Sequence, residues 1–170
     1  YVELSKIYFK EQNYPRAIHY ASKCLEVNTS NIEAHQLLAL IHRITDATDK
    51  ANNSLTSLKQ LSPLNHFIGF EEYQANKTAD GKNKFTSLIR NEMPQETYLQ
   101  LADWYWSLGL LKESLEVLSL SPAHPEVYYW MAKLKHQLGE KDAVDFIDKA
   151  NSVSPHLVFP FRSRSAEVLT

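Results

Sequence analysis

The chain contains only one cysteine, four glycines and seven prolines among its 170 residues. A single thiol, that of Cys24, cannot form an intramolecular disulfide and cannot supply the several thiolates of a structural zinc site. The shortage of glycine and proline excludes a flexible linker or a low-complexity chain. No apolar run approaches the roughly 20 residues that a membrane-spanning helix needs, so we expect no membrane partner.

The chain also lacks an excess of charge of either sign. Its 18 basic and 20 acidic residues are mixed along the sequence and give a formal net charge of −2. Without a domain-wide basic field, we expect no sequence-independent binding to nucleic acid. Neither a glycine-rich phosphate loop nor a Gly-x-Ser-x-Gly motif occurs, so the sequence predicts no cofactor.

Apolar and helix-forming residues are abundant. Hydrophobic residues make up 44% of the chain and aromatic residues 11%, which is enough for a core. Strand-like alternation is missing, so we predict an all-α fold. A helical pattern is already under way at Tyr1, so we expect the chain to be a segment of a longer protein, and no cellular compartment is predicted.

The first part of the chain repeats at an interval of 34 residues. Four positions recur at this spacing: Tyr14 and Thr48, Ala17 and Ala51, Cys24 and Leu58, Thr29 and Pro63. A period of this length is typical of a helix–turn–helix unit that cannot bury its apolar face alone and stacks on copies of itself. The sequence therefore predicts a helical solenoid.

Apolar stripes and turn residues divide the chain into one array of about five helix–turn–helix units. We place the units at about residues 1–30, 31–64, 65–94, 95–123 and 124–155, followed by a tail or capping helix over 156–170. Asn13 is expected to cap the second helix of the first unit, with Pro15 in its first turn. The third unit is degenerate, and its polar stretch 76–83 predicts a long internal loop. Four apolar tail residues are expected to cap the last unit: Leu157, Phe159, Phe161 and Leu169.

These residues resemble the tetratricopeptide repeat (TPR) family, whose units carry a large residue, Leu, a small residue and Tyr in the first helix, then Ala and a final Pro in the second. The matching residues are Tyr1, Leu4, Ser5, Tyr8, Tyr14, Ala17 and Cys24, then Leu38, Ala39, Ala51 and Pro63, then Tyr98, Leu101, Ala102, Tyr105 and Gly109. The degenerate middle unit and the Phe-Pro-Phe-Arg tail also resemble TPR segments of large multidomain bacterial proteins of uncharacterised function. The resemblance implies a right-handed α-α superhelix.

Small residues have a physical role at these positions. Ala17, Ala51 and Ala143 are expected where the second helix of a unit crosses the first, and a larger side chain there overpacks the contact.

The resemblance also implies a non-enzymatic scaffold that binds a peptide or a neighbouring domain on the concave face lined by the first helices. Carried over to this chain, the binding residues are Lys6, Phe9, Lys10, Gln36, Leu40, Arg43, Asp103, Trp106, Tyr129, Lys133 and His136. An alternative is a structural spacer that packs against the catalytic or carbohydrate-binding part of its own parent protein. A third interpretation is sugar binding through Trp106 and Tyr129. The identity of the partner is not predicted.

Other chemistry-bearing residues have plainer interpretations. His35 and His42 are seven residues apart, about 10 Å along a helix, which is too far for one metal ion, so we predict no metal site. Glu71 and Glu72 are interpreted as a solvated helix face rather than as half of an acid–base pair. Cys24 is predicted to be a small buried residue rather than a nucleophile.

Overall fold

The computed structural model describes residues 1–155, 158 and 160–169, and all regular secondary structure in this part of the chain is helical. The helices are α1 (Val2–Lys10), α2 (Tyr14–Val27), α3 (Ile32–Ile44), α4 (Thr48–Leu61), α5 (His66–Asn76), α6 (Ala79–Ser87), α7 (Pro94–Ser107), α8 (Leu111–Ser119), α9 (Pro125–Gln137), α10 (Ala143–Ser152) and α11 (Ser163–Leu169). The all-α fold and the helical-repeat architecture are therefore confirmed.

The helices form two compact units, Tyr1–Leu88 and Ile89–Thr170. In the first unit α1 pairs with α2, α3 with α4 and α5 with α6, and each hairpin packs on the next through α2 with α3 and α4 with α5. In the second unit α7 pairs with α8 and α9 with α10, and α11 packs on α9. Two expectations remain predictions: that all the hairpins form one continuous array, and that this array is a right-handed superhelix.

Small residues bring the paired helices together, as the sequence predicts. Ala17 is fully buried, and the hydroxyl of Ser5 on α1 donates a hydrogen bond to its carbonyl oxygen at 2.8 Å. The hairpin of α7 and α8 has a matching contact, because the Ser114 hydroxyl donates to the Ala102 carbonyl at 2.9 Å. Both donors are buried, so each hydroxyl replaces its lost water contacts within the hairpin.

Capping side chains fix where the helices begin. The Asn13 side chain accepts a hydrogen bond from the backbone N–H of Arg16 at 3.3 Å, and a proline lies in the first turn of α2. Asn31 accepts from the N–H of Ala34 at 2.8 Å. The predicted Asn13 cap is therefore confirmed, because these side chains satisfy N–H groups that have no partner within the helix.

Each of the five described hairpins turns through one residue in the left-handed region. These residues are Gln12 (φ 58°), Asp46 (φ 56°), Lys77 (φ 45°), Gly109 (φ 81°) and Gly139 (φ 74°). Glycine adopts this conformation without steric cost, whereas other residues do so at some cost. The turns of these hairpins therefore share one backbone conformation, although the residue that adopts it differs from turn to turn.

The third hairpin differs from the sequence prediction. The long loop predicted over residues 76–83 is wrong, because α5 continues to Asn76 and α6 begins at Ala79. The Thr78 hydroxyl caps α6 by accepting from the N–H of Gly81 at 3.0 Å. Phe85 is fully buried and makes an edge contact with Phe70, with 5.5 Å between ring centroids. The polar stretch thus comprises the end of α5, a short turn and the first part of α6, which this ring anchors.

Two further expectations need correction. Phe161 is 71% exposed and Leu169 is 47% exposed, so neither forms an apolar cap, while Leu157 and Phe159 lie outside the described residues. Cys24 is only half-buried.

No helix within the described residues combines the length and the apolar character that crossing a bilayer requires.

Candidate functional site

In the first unit, Lys6 is the predicted binding residue that joins α1 to α3 through an ion pair. The Lys6 ammonium lies 2.9 Å from a Glu3 carboxylate oxygen and 2.5 Å from one of Glu33, which joins α1 to α3. Partial burial acts to lower the pKa of Lys6. Hydrogen bonds to Glu33 and Glu3 act in the opposite direction, and the net result is a pKa above the ordinary value for lysine. Lys10 is exposed and Gln36 is half-buried.

The apolar members of the predicted set in this unit are packing residues in the structure. Phe9 is 4% exposed and contacts Tyr14, with 5.8 Å between the ring centroids, and Leu40 is fully buried. Neither side chain is available to a ligand on the surface of this structure.

Arg43 makes a structural ion pair. Its Nε donates to Glu71 Oε2 at 2.6 Å and its Nη2 donates to Glu71 Oε1 at 3.2 Å. The Glu71 side chain is 1% exposed, so its interpretation as a solvated residue is wrong. This two-point contact joins α3 to α5 and holds the second and third hairpins together.

In the second unit, three predicted residues of α9 line one cleft of about 210 Å³. Its lining includes Tyr129, Lys133 and His136 of α9, Val144 and Ile147 of α10 and Val168 of α11. We call this the α9–α10 cleft. The Tyr129 hydroxyl donates to Asn151 Oδ1 at 2.6 Å, which fixes its ring at the edge of the cleft.

The α9–α10 cleft combines exposed apolar surface with an available cation. Val144 is 62% exposed and Ile147 is 41% exposed. Among the described residues, Lys133 has no ion-pair partner. An apolar depression beside a cation fits an apolar side chain that is followed by an acidic group.

The other two predicted residues of this unit, Asp103 and Trp106 of α7, are in contact with Arg164 of α11. Arg164 Nε donates to Asp103 Oδ1 at 2.9 Å, and its guanidinium lies 5.0 Å from the centroid of the Trp106 ring. Trp106 is 8% exposed and meets Trp130 edge to face at 5.7 Å.

Two more residues of the tail, Arg162 and Ser165, contact α7 and α9. Arg162 Nη1 lies 2.5 Å from Glu96 Oε2, and Arg162 Nη2 donates to the Glu96 carbonyl oxygen at 3.2 Å. The hydroxyl of Ser165 donates to Glu126 Oε1 and accepts from Trp130 Nε1, the latter at 3.3 Å. We call the surface formed by Glu96, Asp103 and Trp106 of α7 and by Glu126 and Trp130 of α9 the tail site.

A half-buried histidine, His124, adjoins the tail site. Burial lowers the pKa of His124 below its ordinary value, although the carboxylates of Glu126 and Glu96 act in the opposite direction. Neither ring nitrogen of His124 has a hydrogen-bond partner among the described residues. Burial therefore favours the neutral form of this ring, and the two carboxylates oppose that preference.

Sequence reasoning missed Glu96, Glu126 and both arginines of the tail. Each glutamate lies in the first turn of a helix that begins with proline, where an acidic residue is ordinary because it favours the helix dipole. The arginines lie 66 and 61 residues from their partners. The single local signal is the pairing of two arginines within residues 162–164.

The aromatic residues of this unit are mainly core. Tyr98 is 3% exposed, and Tyr105 and Trp130 are fully buried. The cleft that Tyr129 lines does not include Trp106, so this cleft does not pair the two aromatic faces that the sugar-binding interpretation needs.

The two histidines of α3 lie in separate environments. His35 Nε2 is hydrogen-bonded to the Thr29 carbonyl at 2.9 Å, while His42 is 9% exposed and burial lowers its pKa. Within the described ranges, no three His, Cys, Asp or Glu side chains are grouped to hold a metal ion.

Comparison with known proteins gives one family match. Residues 1–31 match the family model of the tetratricopeptide repeat. No curated protein sequence is significantly similar to the chain.

MamA and PilW are among the solved proteins with similar structures. A crystal structure of MamA is 20% identical, with a TM-score of 0.44 over 89% of this chain and 94% of that chain. PilW, a widely conserved type IV pilus biogenesis factor, is 15% identical, with a TM-score of 0.40 over 99% of this chain and 96% of that chain. At these low scores, neither protein's biology transfers to this chain.

Proposed function

We propose that the chain is a protein-interaction scaffold of the tetratricopeptide-repeat type, whose family model matches residues 1–31, and that its α9–α10 cleft binds a segment of a partner protein. The observation that carries this proposal is the meeting of Tyr129, Lys133 and His136 around one apolar cleft. These side chains lie on the first helix of a hairpin, which is the helix that lines the ligand face in the resembled family. The scaffold acts by binding, without catalysis and without nucleic acid.

The chemistry of the α9–α10 cleft defines the segment it suits. Val144, Ile147 and Val168 form an apolar wall, and burying one aliphatic or aromatic side chain against it contributes about 1.5–3 kcal/mol. Lys133 and His136 lie on the same helix one turn apart, so an acidic group beside the apolar anchor gains a charge contact. The best ligand is therefore a short segment with an apolar anchor and an adjacent Asp or Glu.

A structural spacer is the second candidate, and the exposure of Val144 and Ile147 favours it. Apolar side chains exposed beside a cleft also suit permanent packing against a neighbouring domain. The two functions differ in affinity for short segments, since a spacer needs a large surface and has little affinity for an isolated peptide.

Selection from a displayed random peptide library against the full chain tests the proposal. We expect enriched peptides to share an apolar residue next to an acidic one. Ile147→Glu should weaken the best peptide by about tenfold or more, because it places a carboxylate in the apolar wall. Lys133→Glu should weaken it through charge reversal.

Leu61→Glu is the matched control, because Leu61 of α4 is 40% exposed against 41% for Ile147 and lies in the other unit. Peptides whose affinity falls equally in the Ile147 and Leu61 variants would overturn the assignment to the α9–α10 cleft. Failure to enrich any peptide with a folded chain would favour the spacer function.

A further inference from the structure

The contacts that hold α11 to the rest of the second unit are mainly polar. Arg162 pairs with Glu96, Arg164 pairs with Asp103, and Ser165 bonds to Glu126. The flanking apolar residues Phe161 and Leu169 remain exposed. A helix of seven residues is too short to be stable alone, and an element with little apolar burial opens at low cost.

The tail site has a chemistry that favours a particular guest. It presents the carboxylates of Glu96 and Asp103 beside the face of Trp106. An arginine suits this combination better than a lysine, because its planar guanidinium donates several hydrogen bonds and stacks on an indole ring.

Glu126 provides independent evidence that α11 does not satisfy every polar group of the tail site. It is 1% exposed, and its Oε2 has no hydrogen-bond donor among the described residues. A buried carboxylate oxygen without a donor is costly, so a guest with an additional donor at this point gains affinity over α11.

From these contacts we propose that the tail site binds an arginine-bearing helical segment of a partner protein, and that α11 is the internal competitor for this site. The inference rests on the proposed scaffold function and names a partner class for a second surface of the same unit. Because α11 must leave before the partner binds, the apparent affinity is reduced by the fraction of molecules in which the site is open.

The arrangement of α11 specifies the pattern of the guest. Arg162 and Arg164 reach Glu96 and Asp103, and the buried Ser165 fits between Trp130 and Glu126. Since Ser165 is fully buried, only a small residue is accommodated there. The expected partner segment therefore reads Arg-x-Arg followed by Ser or another small polar residue.

A trans-binding experiment in the full chain tests this inference. The probe is a fluorescently labelled synthetic peptide with the sequence of residues 160–169, measured by anisotropy. The double variant Arg162→Gln, Arg164→Gln releases α11, so we expect it to bind the peptide about tenfold more tightly than the wild-type chain. Raising the salt concentration should weaken this binding, because the contacts are ion pairs.

Three matched controls locate the binding. A peptide with both arginines replaced by glutamine should not bind, and adding Glu96→Gln and Asp103→Asn to the release variant should abolish binding. Lys112→Gln and Lys141→Gln, made together in the wild-type chain, also remove two exposed cations from this unit but should leave peptide affinity at the wild-type level. A folded release variant that binds no better than wild type would overturn the inference.

Hydrogen exchange of the wild-type chain provides a test without any variant. We expect the amides of α11 to exchange faster than those of α9, and faster still in high salt. Equal protection of α11 and α9 under both conditions would overturn the role of α11 as a competitor.

The outcome of this test is separable from that of the proposed function. In the release background, Ile147→Glu should weaken binding of the 160–169 peptide much less than Glu96→Gln with Asp103→Asn does, because only Val168 of the peptide reaches the α9–α10 cleft. Loss of binding in that variant would contradict the assignment to the tail site, whereas loss of library-selected peptides alone would concern the cleft.

Discussion

At the scale of single residues, small side chains and their hydrogen bonds decide how closely the paired helices approach. Ser5 with Ala17, and Ala102 with Ser114, are two such pairs, each separated by 12 residues. The hydroxyl is on the first helix in one pair and on the second helix in the other. Either helix can therefore supply the donor, provided both residues remain small.

Enlarging one of these residues should overpack the hairpin. Ala17 is fully buried, so Ala17→Leu is expected to lower the free energy of unfolding by about 1–3 kcal/mol. Lys59→Ala, on the exposed side of α4, should change it by less than about 0.5 kcal/mol. Thermal unfolding followed by circular dichroism measures both, and equal effects would contradict the assigned register.

The two ion pairs of the first unit should differ in strength. Arg43→Gln leaves the buried Glu71 carboxylate without its main partner, so we expect a loss of about 3 kcal/mol in urea unfolding. Lys6→Gln breaks contacts with Glu3 and Glu33, which are more exposed, and should cost at most about 1 kcal/mol. A loss for Arg43→Gln no larger than that for Lys6→Gln would show that the buried pair contributes little.

His42 should make the stability of the fold depend on pH. Burial, with a contribution from Lys50, lowers its pKa in the folded chain, whereas in the unfolded chain it titrates near about 6.5. Below that pH the unfolded state binds more protons, so the free energy of unfolding falls as the pH decreases toward the folded pKa. Urea unfolding between about pH 7.5 and about 5.5 measures this slope.

The variant His42→Gln isolates the contribution of this residue. We expect the loss of stability on acidification to be smaller in the variant than in wild type, because the variant has no group to protonate at this position. An identical pH slope in the two proteins would assign the effect to other groups, such as His124.

At the scale of elements, the turn within each hairpin places one residue at positive φ. Gly109 and Gly139 take this conformation freely, while Gln12, Asp46 and Lys77 take it at a cost. An added Cβ at Gly109 would meet no atom within 4 Å. Any effect of substitution there is therefore a backbone effect.

Substitutions in this turn should follow the backbone conformation. Gly109→Ala is expected to destabilise the chain by about 1 kcal/mol, because alanine must adopt the left-handed conformation. Gln12→Gly is the reciprocal change and should not destabilise, since it removes the same strain. The midpoints of urea unfolding measure both effects. If Gly109→Ala left the midpoint unchanged, the turn would have to adopt another conformation readily.

At the scale of the whole molecule, features encoded locally could be predicted and features encoded at long range could not. The Asn13 cap and the small residue Ala17 each act within one hairpin, and the 34-residue interval relates neighbouring hairpins, so the sequence alone located them. The exposed part of α6 looked like a loop because its anchor, Phe85, is a single ring that packs on Phe70.

The candidate site shows the same division. The α9–α10 cleft contains three predicted residues because they repeat on one face of α9. The pairs of Arg162 with Glu96 and of Arg164 with Asp103 span 66 and 61 residues, and no periodic pattern marks such partners. Arg43 was predicted as a ligand residue for the same reason, because its distant partner Glu71 was not visible in the sequence.

The most direct measurement of the central claim is a chemical-shift titration of the ¹⁵N-labelled full chain with the best library-selected peptide. The account predicts that the shifted amides map to α9, α10 and the end of α11, with an affinity that Ile147→Glu reduces and Leu61→Glu does not. Shifts confined to the first unit, or saturation unaffected by Ile147→Glu, would contradict binding of a protein segment at the α9–α10 cleft.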